Sequence, residues 1–195
     1  MLNLKYREEL NGLRAIAVIG VIIYHIEIFL NGNKVFPGGF LGVDIFFVIS
    51  GYLITSLILK EIISTNNFSF KFFYFRRAKR ILPALVAMIF ISILFAWIYL
   101  TPKNFLEYSN SIKASLFFYS NYFFYFQDLV YNSKDSLLKP LLHTWSLAVE
   151  EQFYIFFPIF FFTIYKFIQK KLLIFFFVFL LVNFLISIYI VYSNS

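Results

Sequence analysis

Runs of about twenty apolar residues, separated by short charged segments, decide what this sequence can become. A hydrocarbon core of roughly 30 Å takes about 20 residues of α-helix to cross. Lipid offers no partner to a backbone N–H or C=O. A run that sits in lipid must therefore close its own hydrogen bonds as a helix, whatever the strand preference of its Phe, Ile and Tyr. The runs 10–30, 40–63, 81–100, 147–167 and 172–192 meet that length. Pro83 is expected in the first turn of the third, where its missing N–H costs little. A further stretch, 111–131, mixes Lys113, Asn121, Gln127 and Asp128 with aromatics. It reads as a span, a re-entrant piece or an interfacial helix. The expected fold class is all-α, a polytopic transmembrane helical bundle with five or six apolar segments.

Composition agrees. The chain is 61% hydrophobic over 195 residues, against about 45–50% in a soluble domain of similar size. The formal net charge of +7 is read as cytoplasmic loop charge, not as a nucleic-acid surface. With the N-terminus cytoplasmic and 111–131 not crossing, Lys5, Arg7, Arg14, Lys60, Lys71, the Arg76–Arg80 cluster, Lys166, Lys170 and Lys171 fall inside. They outweigh Lys34, Lys103, Lys113, Lys134 and Lys139 outside. The first run carries no small-residue cleavage site and reads as a retained span. The absence of cysteine excludes disulfides, thiolate zinc sites and a cysteine nucleophile. No P-loop, dinucleotide glycine fingerprint, HExxH or GxSxG is present, and no ligand spacing supports a metal.

Polar residues inside the runs are the candidates for chemistry. Arg14 and His25 lie eleven positions apart, about three helical turns plus roughly 20°, so they share a face at an axial separation of roughly 16 Å. His25 lies deep in the first run. It is either a general base, since imidazole titrates near neutrality, or a partner in an interhelical hydrogen bond. Arg14 is either functional or a snorkelling end residue. Asp44 opens the second run, where it either orients His25 or favours the helix N-terminus. Asp44, Gly51 and Thr55 share a face, and Gly51 is expected to admit a neighbouring backbone. Arg76, Arg77 and Arg80, with Lys79, lie between the second and third runs. They form either a lipid-facing topology anchor or a phosphate clamp. The fourth run is announced by His143, Trp145, Glu150, Glu151, Gln152 and Tyr154, with Ser146 as an expected N-cap. Glu150 and Glu151 differ by about 100° around the helix, so at most one is expected to face inward squarely.

These blocks resemble the acyltransferase 3 family, membrane enzymes that O-acylate cell-surface polysaccharides. The matching blocks are Leu10-Asn-Gly-Leu-Arg-Ala-Ile-Ala-Val through His25, Gly39 to Thr55, Arg76 to Pro83, and His143 to Tyr154. Asn11 stands where the family commonly has Asp. The resemblance implies that His25 is the catalytic histidine with Arg14 as its first-span partner. It further implies that Arg76, Arg77 and Arg80 approach the phosphates of an acyl-coenzyme A. Glu150 is the more family-typical of the two acids, and Asp44, His143 and Trp145 line or support the site.

The expected function is therefore transfer of an acyl group, foremost acetyl, from cytoplasmic acyl-CoA to a hydroxyl of a cell-surface or lipid-linked carbohydrate. No metal is expected. The expected location is the bacterial inner membrane, multi-pass, with the N-terminus cytoplasmic. The family's membrane domain has about ten spans. Residues 1–195 are thus expected to be its N-terminal part, a truncated product, or half of a split protein completed by a second polypeptide. The competing readings are a non-catalytic remnant and a transporter fragment; the latter would call for broken helices or inverted repeats.

Overall fold

The computed structural model describes residues 7, 9–26, 28–30, 32–130 and 138–193. Lys5, Tyr131 and Lys134, which entered the sequence reading, lie outside them. In order come α1 (Glu9–Ile26), strands β1 (Phe29–Leu30) and β2 (Asn33–Lys34), a 3-10 turn (Gly39–Leu41), α2 (Gly42–Thr65), α3 (Phe70–Tyr99), α4 (Pro102–Leu116), α5 (Ser120–Val130), α6 (Thr144–Ile168), a second 3-10 turn (Gln169–Lys171) and α7 (Leu172–Ser193). Five helices, α1, α2 with its preceding turn, α3, α6 and α7, are long and apolar enough to cross a membrane. The chain divides into residues 1–156 and residues 157–195.

In the first unit α1 ends at Ile26, not at Leu30, because β1 and β2 pair antiparallel just beyond it, around Gly32 at φ 81°. Small residues fix the approach of α1 to the start of α2. A Cβ on Gly39 would meet the Gly20 carbonyl and come within 2.8 Å of Tyr24 Cβ. One on Gly42 would meet the Ala17 carbonyl and come within 2.7 Å of Val21 Cγ2. Close backbone approach of this kind drives helix pairing where lipid removes the hydrophobic drive. Gly51, expected to serve that purpose, faces open space, with nothing within 4 Å of a Cβ there. The α1–α2 contact sits a full two turns nearer the start of α2.

Helix α2 buries Ile54, Ile58 and Ile62, an i, i+4 row on one face. Asn66 ends it in the left-handed conformation (φ 54°), its N–H bonding to the Ile62 carbonyl, a common helix stop. Helix α3 then starts at Phe70, eleven residues before the apolar run suggested. The basic cluster is therefore helical, and Pro83 lies inside the helix rather than in its first turn. Pro83 cannot donate to the Lys79 carbonyl. Packing holds the turns on either side: Phe73 is buried against Phe68 (ring centroids 5.6 Å), and Leu85 and Ile89 are buried farther on. Over 30 residues the helix runs roughly 45 Å at 1.5 Å per residue, so its basic turns project past the apolar slab.

The stretch 111–131 divides into α4, of 15 residues, and α5, of 11. Neither reaches the roughly 20 residues that a crossing takes. Phe118 at φ 54° breaks the run, and the Tyr119 N–H reaches the Ala114 carbonyl at 2.9 Å. Three buried serines hold this elbow. Ser111 Oγ donates to the Tyr108 carbonyl (2.6 Å), Ser115 pairs with Thr144 Oγ1 (2.9 Å), and Ser120 donates to the Thr144 carbonyl (2.9 Å). Leu85, Ile89, Ala96, Tyr108, Phe124 and Leu141 form the core beneath it. Helix α6 begins at Thr144, so Ser146 is in its first turn and not its N-cap; Ser146 Oγ donates back to the His143 carbonyl at 3.2 Å.

In the second unit the end of α6 and α7 meet through aromatic rings, with Phe161 and Phe176 at 5.8 Å. Helix α7 has no buried residue, as a helix solvated by lipid requires.

Candidate active site

Three helices carry cations to one place. Arg7 and Arg14 approach from the start of α1, Lys60 from the last turns of α2, and Arg77 and Arg80 from the early turns of α3; with Asn11, Tyr52 and Ser56 they line a cavity of 570 Å³. Tyr52, Ser56 and Lys60 reach it together because residues four apart on α2 share a face. Among the described residues Arg14 Nε is buried with no hydrogen-bond partner. The structure thus unites Arg14, Arg77 and Arg80 and leaves Arg76 out. Arg76 is 55% exposed and lies 3.8 Å from Glu61, whose other carboxylate oxygen accepts the Ser69 N–H at 2.8 Å. That pairing closes the α2–α3 turn. Arg7 and Lys60 escaped the sequence reading; Lys60 is the cation nearest the end of the second apolar run, the signal that was available.

Arg77 leads inward. Its guanidinium lies 5.0 Å from the centre of the Tyr154 ring and 5.6 Å from that of Phe73, within cation–π range. The Tyr154 hydroxyl donates to Glu150 Oε1, one helical turn away on α6. Ser50 Oγ on α2 donates to the same oxygen. Ser50 and Tyr154 are both buried. A carboxylate gripped by two hydroxyls is fixed in place and oriented. Glu150 then faces two further spaces. One, of 350 Å³, is lined by Val18, Val21, Met88, His143 and Ser146; the other, of 380 Å³, by Phe47, Ser50, Gly51 and Phe153.

The neighbouring acid does not turn outward as helical spacing alone suggested. Glu151 is buried, and its Oε1 has no hydrogen-bond partner among the described residues. Gln152 shows why the turn is crowded. Its Nε2 donates to the Phe118 carbonyl at 2.8 Å and to Asn121 Oδ1 at 2.9 Å, which ties α6 to the α4–α5 elbow.

The other candidates gather at the opposite end of the spans. His143 directly precedes α6. Burial pushes its pKa below the ordinary imidazole value, the Pro140 carbonyl opposes that, and the charge of His25 lowers it further. His25 is therefore within electrostatic reach of His143. It lies in the last turn of α1, exposed, with its ring edge-on to Tyr24 at 5.3 Å. Its place is thus the last turn of the helix, far from Arg14. Asp44 is exposed in the first turn of α2, where the helix dipole favours it. Trp145 is 41% exposed in the first turn of α6. Neither Asp44 nor Trp145 lines the spaces that Glu150 faces. Among the described residues no group of three or more His, Asp or Glu is placed to hold a metal ion.

Sequence comparison gives this arrangement a context. A protein of Staphylococcus aureus strain MSSA476, provisionally named an O-acetyltransferase, is 45% identical over 169 residues, 87% of this chain and 27% of its own length. A counterpart in strain MRSA252 gives the same figures. The O-acetyltransferase OatA of strain NCTC 8325 is 43% identical over 159 residues, 82% of this chain and 25% of its own length. The chain thus spans about a quarter of the length of these relatives. No solved structure matches. The profile of the family described as Acyltransferase domain matches residues 7–195, and on that match the chain belongs to the acyltransferase 3 family.

Proposed function

We propose that the chain forms the N-terminal part of a membrane O-acyltransferase that moves an acetyl group from acetyl-CoA to a hydroxyl of a cell-envelope carbohydrate. The observation that carries the reading is the meeting of five cations in one cavity, four from three helices and Arg7 from just before α1, with Arg77 leading from it through Tyr154 to Glu150. Guanidinium forks match phosphate oxygens, and a coenzyme A thioester brings several phosphates on a long flexible arm. The excess of Lys and Arg at this end supports a cytoplasmic N-terminus in an inner membrane. His25 and His143 then belong to the outer end.

In this reading Arg14, Arg77, Arg80, Lys60 and Arg7 hold the donor phosphates, and Arg76 braces the α2–α3 turn. The acyl arm has roughly 16 Å to cover from Arg14 to His25 along α1. His25 takes the proton of the acceptor hydroxyl. The hydroxyl oxygen bonds to the thioester carbon, the carbon–sulfur bond breaks, and the thiolate is protonated as it leaves. Glu150 orients the reacting groups from the floor of the space that it shares with His143. Asp44 and Trp145 shape the outer rim.

The test supplies radiolabelled acetyl-CoA to membranes carrying the protein in its full-length context. Alkali-labile label on envelope glycans, with a matching acetyl mass increment, is expected only when the gene is present. Equal labelling without the gene overturns the reading.

A further inference from the structure

A second polar space lies away from the acid and the basic cavity. It sits between α4, α5 and residues 138–140, lined by Lys103, Glu107, Tyr108, Gln127 and Lys139, and its volume is 50 Å³. Tyr99 ends α3 beside it, whereas Arg77 lies 22 residues earlier, roughly 33 Å along the helix axis. The space is therefore at the end of the spans opposite the basic cavity. Its floor is apolar: Tyr108 and Phe124 are both 3% exposed. The Tyr108 hydroxyl is turned away to Ser92 Oγ at 2.6 Å. Gln127 Nε2 donates to Glu107 Oε2 at 3.4 Å, while Gln127 Oε1 is buried and accepts no hydrogen bond among the described residues. A buried acceptor left unsatisfied is costly, so this geometry calls for an external donor.

The space also shares lining residues, in steps, with the site already described. Leu138 and Pro140 line both it and an apolar groove of 720 Å³ along α3. That groove ends at Met88 and His143, which in turn line the space that Glu150 faces. Shared side chains thus link the linings of the three spaces in series, from Gln127 to Glu150.

We propose that this space is an acceptor subsite for a neutral sugar unit, with Gln127 Oε1 accepting a hydrogen bond from a hydroxyl or acetamido N–H. The lining argues for a sugar rather than an ion. Two lysines, one glutamate and an amide stand together over an apolar floor, which suits a ring with polar edges and apolar faces, and Glu107 offsets one of the two lysine charges. The volume takes one substituent arm of the ring, and the ring lies across the mouth against Leu138 and Pro140. The inference rests on the acyl-transfer reading for the chemical step after binding, whereas binding itself is measured separately.

The experiment uses the full-length protein purified in detergent, with chitotetraose and maltotetraose as probes and saturation-transfer NMR as the readout. Chitotetraose offers acetamido donors, and maltotetraose offers hydroxyls alone. The wild type is expected to give saturation transfer from at least one of them. Gln127→Leu is expected to weaken it by about five-fold, the worth of one neutral hydrogen bond, with acetyl-CoA binding unchanged. Should Gln127→Leu lower the melting temperature, Glu107→Gln, which loosens the same amide, replaces it with the same expectation. Absence of transfer from both sugars in the wild type, the result if the space holds structural waters only, overturns the proposal. Equal binding by wild type and variants also overturns it. Retained, Gln127-dependent sugar binding without acetyl transfer refutes the catalytic reading alone.

Discussion

Replacing Tyr154 by Phe removes one hydroxyl and leaves the ring beneath Arg77, so it isolates the hydrogen bond to Glu150. The side chain is 4% exposed, and no solvent replaces the lost donor. A hydrogen bond to a charged group contributes about 1.5–3 kcal/mol. Ser50 still donates to the same carboxylate oxygen, which keeps Glu150 partly oriented and places the loss at the lower end. At about 1.4 kcal/mol per decade, acetyl transfer by Tyr154→Phe should fall roughly ten-fold in kcat, with the KM for acetyl-CoA unchanged because the cation–π contact persists. Ser50→Ala should act similarly. The double variant should fall by more than the product of the two, because its carboxylate keeps neither donor. The assay is transfer of radiolabel from acetyl-CoA in membranes, normalised to protein by immunoblot. A wild-type kcat for Tyr154→Phe, or strictly independent effects in the double variant, would refute the reasoning.

Gly42→Ala places a methyl group against the Ala17 carbonyl and should lower the melting temperature in detergent, overpacking of this kind costing about 1–3 kcal/mol; Gly51→Ala, with open space around it, should leave it unchanged, and equal shifts would contradict the packing account. Lys60→Ala should raise the KM for acetyl-CoA by about ten-fold, as expected for a lost charge-assisted phosphate contact, while kcat holds; a change confined to kcat would remove Lys60 from donor binding. Burial holds His143 below the ordinary imidazole value of about 6.5, so the folded protein prefers it neutral. Stability should be full above that pH and fall as the pH drops below it, because the unfolded chain takes the proton first. His143→Gln should flatten that slope in melting curves, and an unchanged slope would show that His143 is not its source.

The spans were legible because hydropathy over about 20 residues is a direct reading of the solvent. Their ends were not. Helix α3 continues back through Arg76–Arg80 because a helix outside lipid needs only packing, and Phe73 supplies it; no run of apolar residues announces that. The break at Phe118 is equally silent in sequence, since an aromatic residue gives no hint of a left-handed turn. Within the site, the pairing of Glu150 with Tyr154 follows from their spacing on one helix. Ser50 reaches the same carboxylate from a position 100 residues away in the chain, and only the packing of α2 against α6 reveals it. Glycine function was only partly legible: a close helix contact was expected at Gly51, yet the tight contact with α1 falls on Gly39 and Gly42. Arg76 looked equivalent to Arg77 in the cluster, but roughly 100° around a helix sends one to Glu61 and the other to Tyr154.

The most direct trial of the catalytic account is acetyl transfer by His25→Ala in the full-length context, in membranes supplied with radiolabelled acetyl-CoA and with protein level measured alongside. The account predicts background transfer, wild-type abundance and an unchanged affinity for acetyl-CoA, since the cations proposed to hold the donor phosphates lie at the opposite end of the spans from His25. Transfer at the wild-type rate by the well-expressed variant would contradict it.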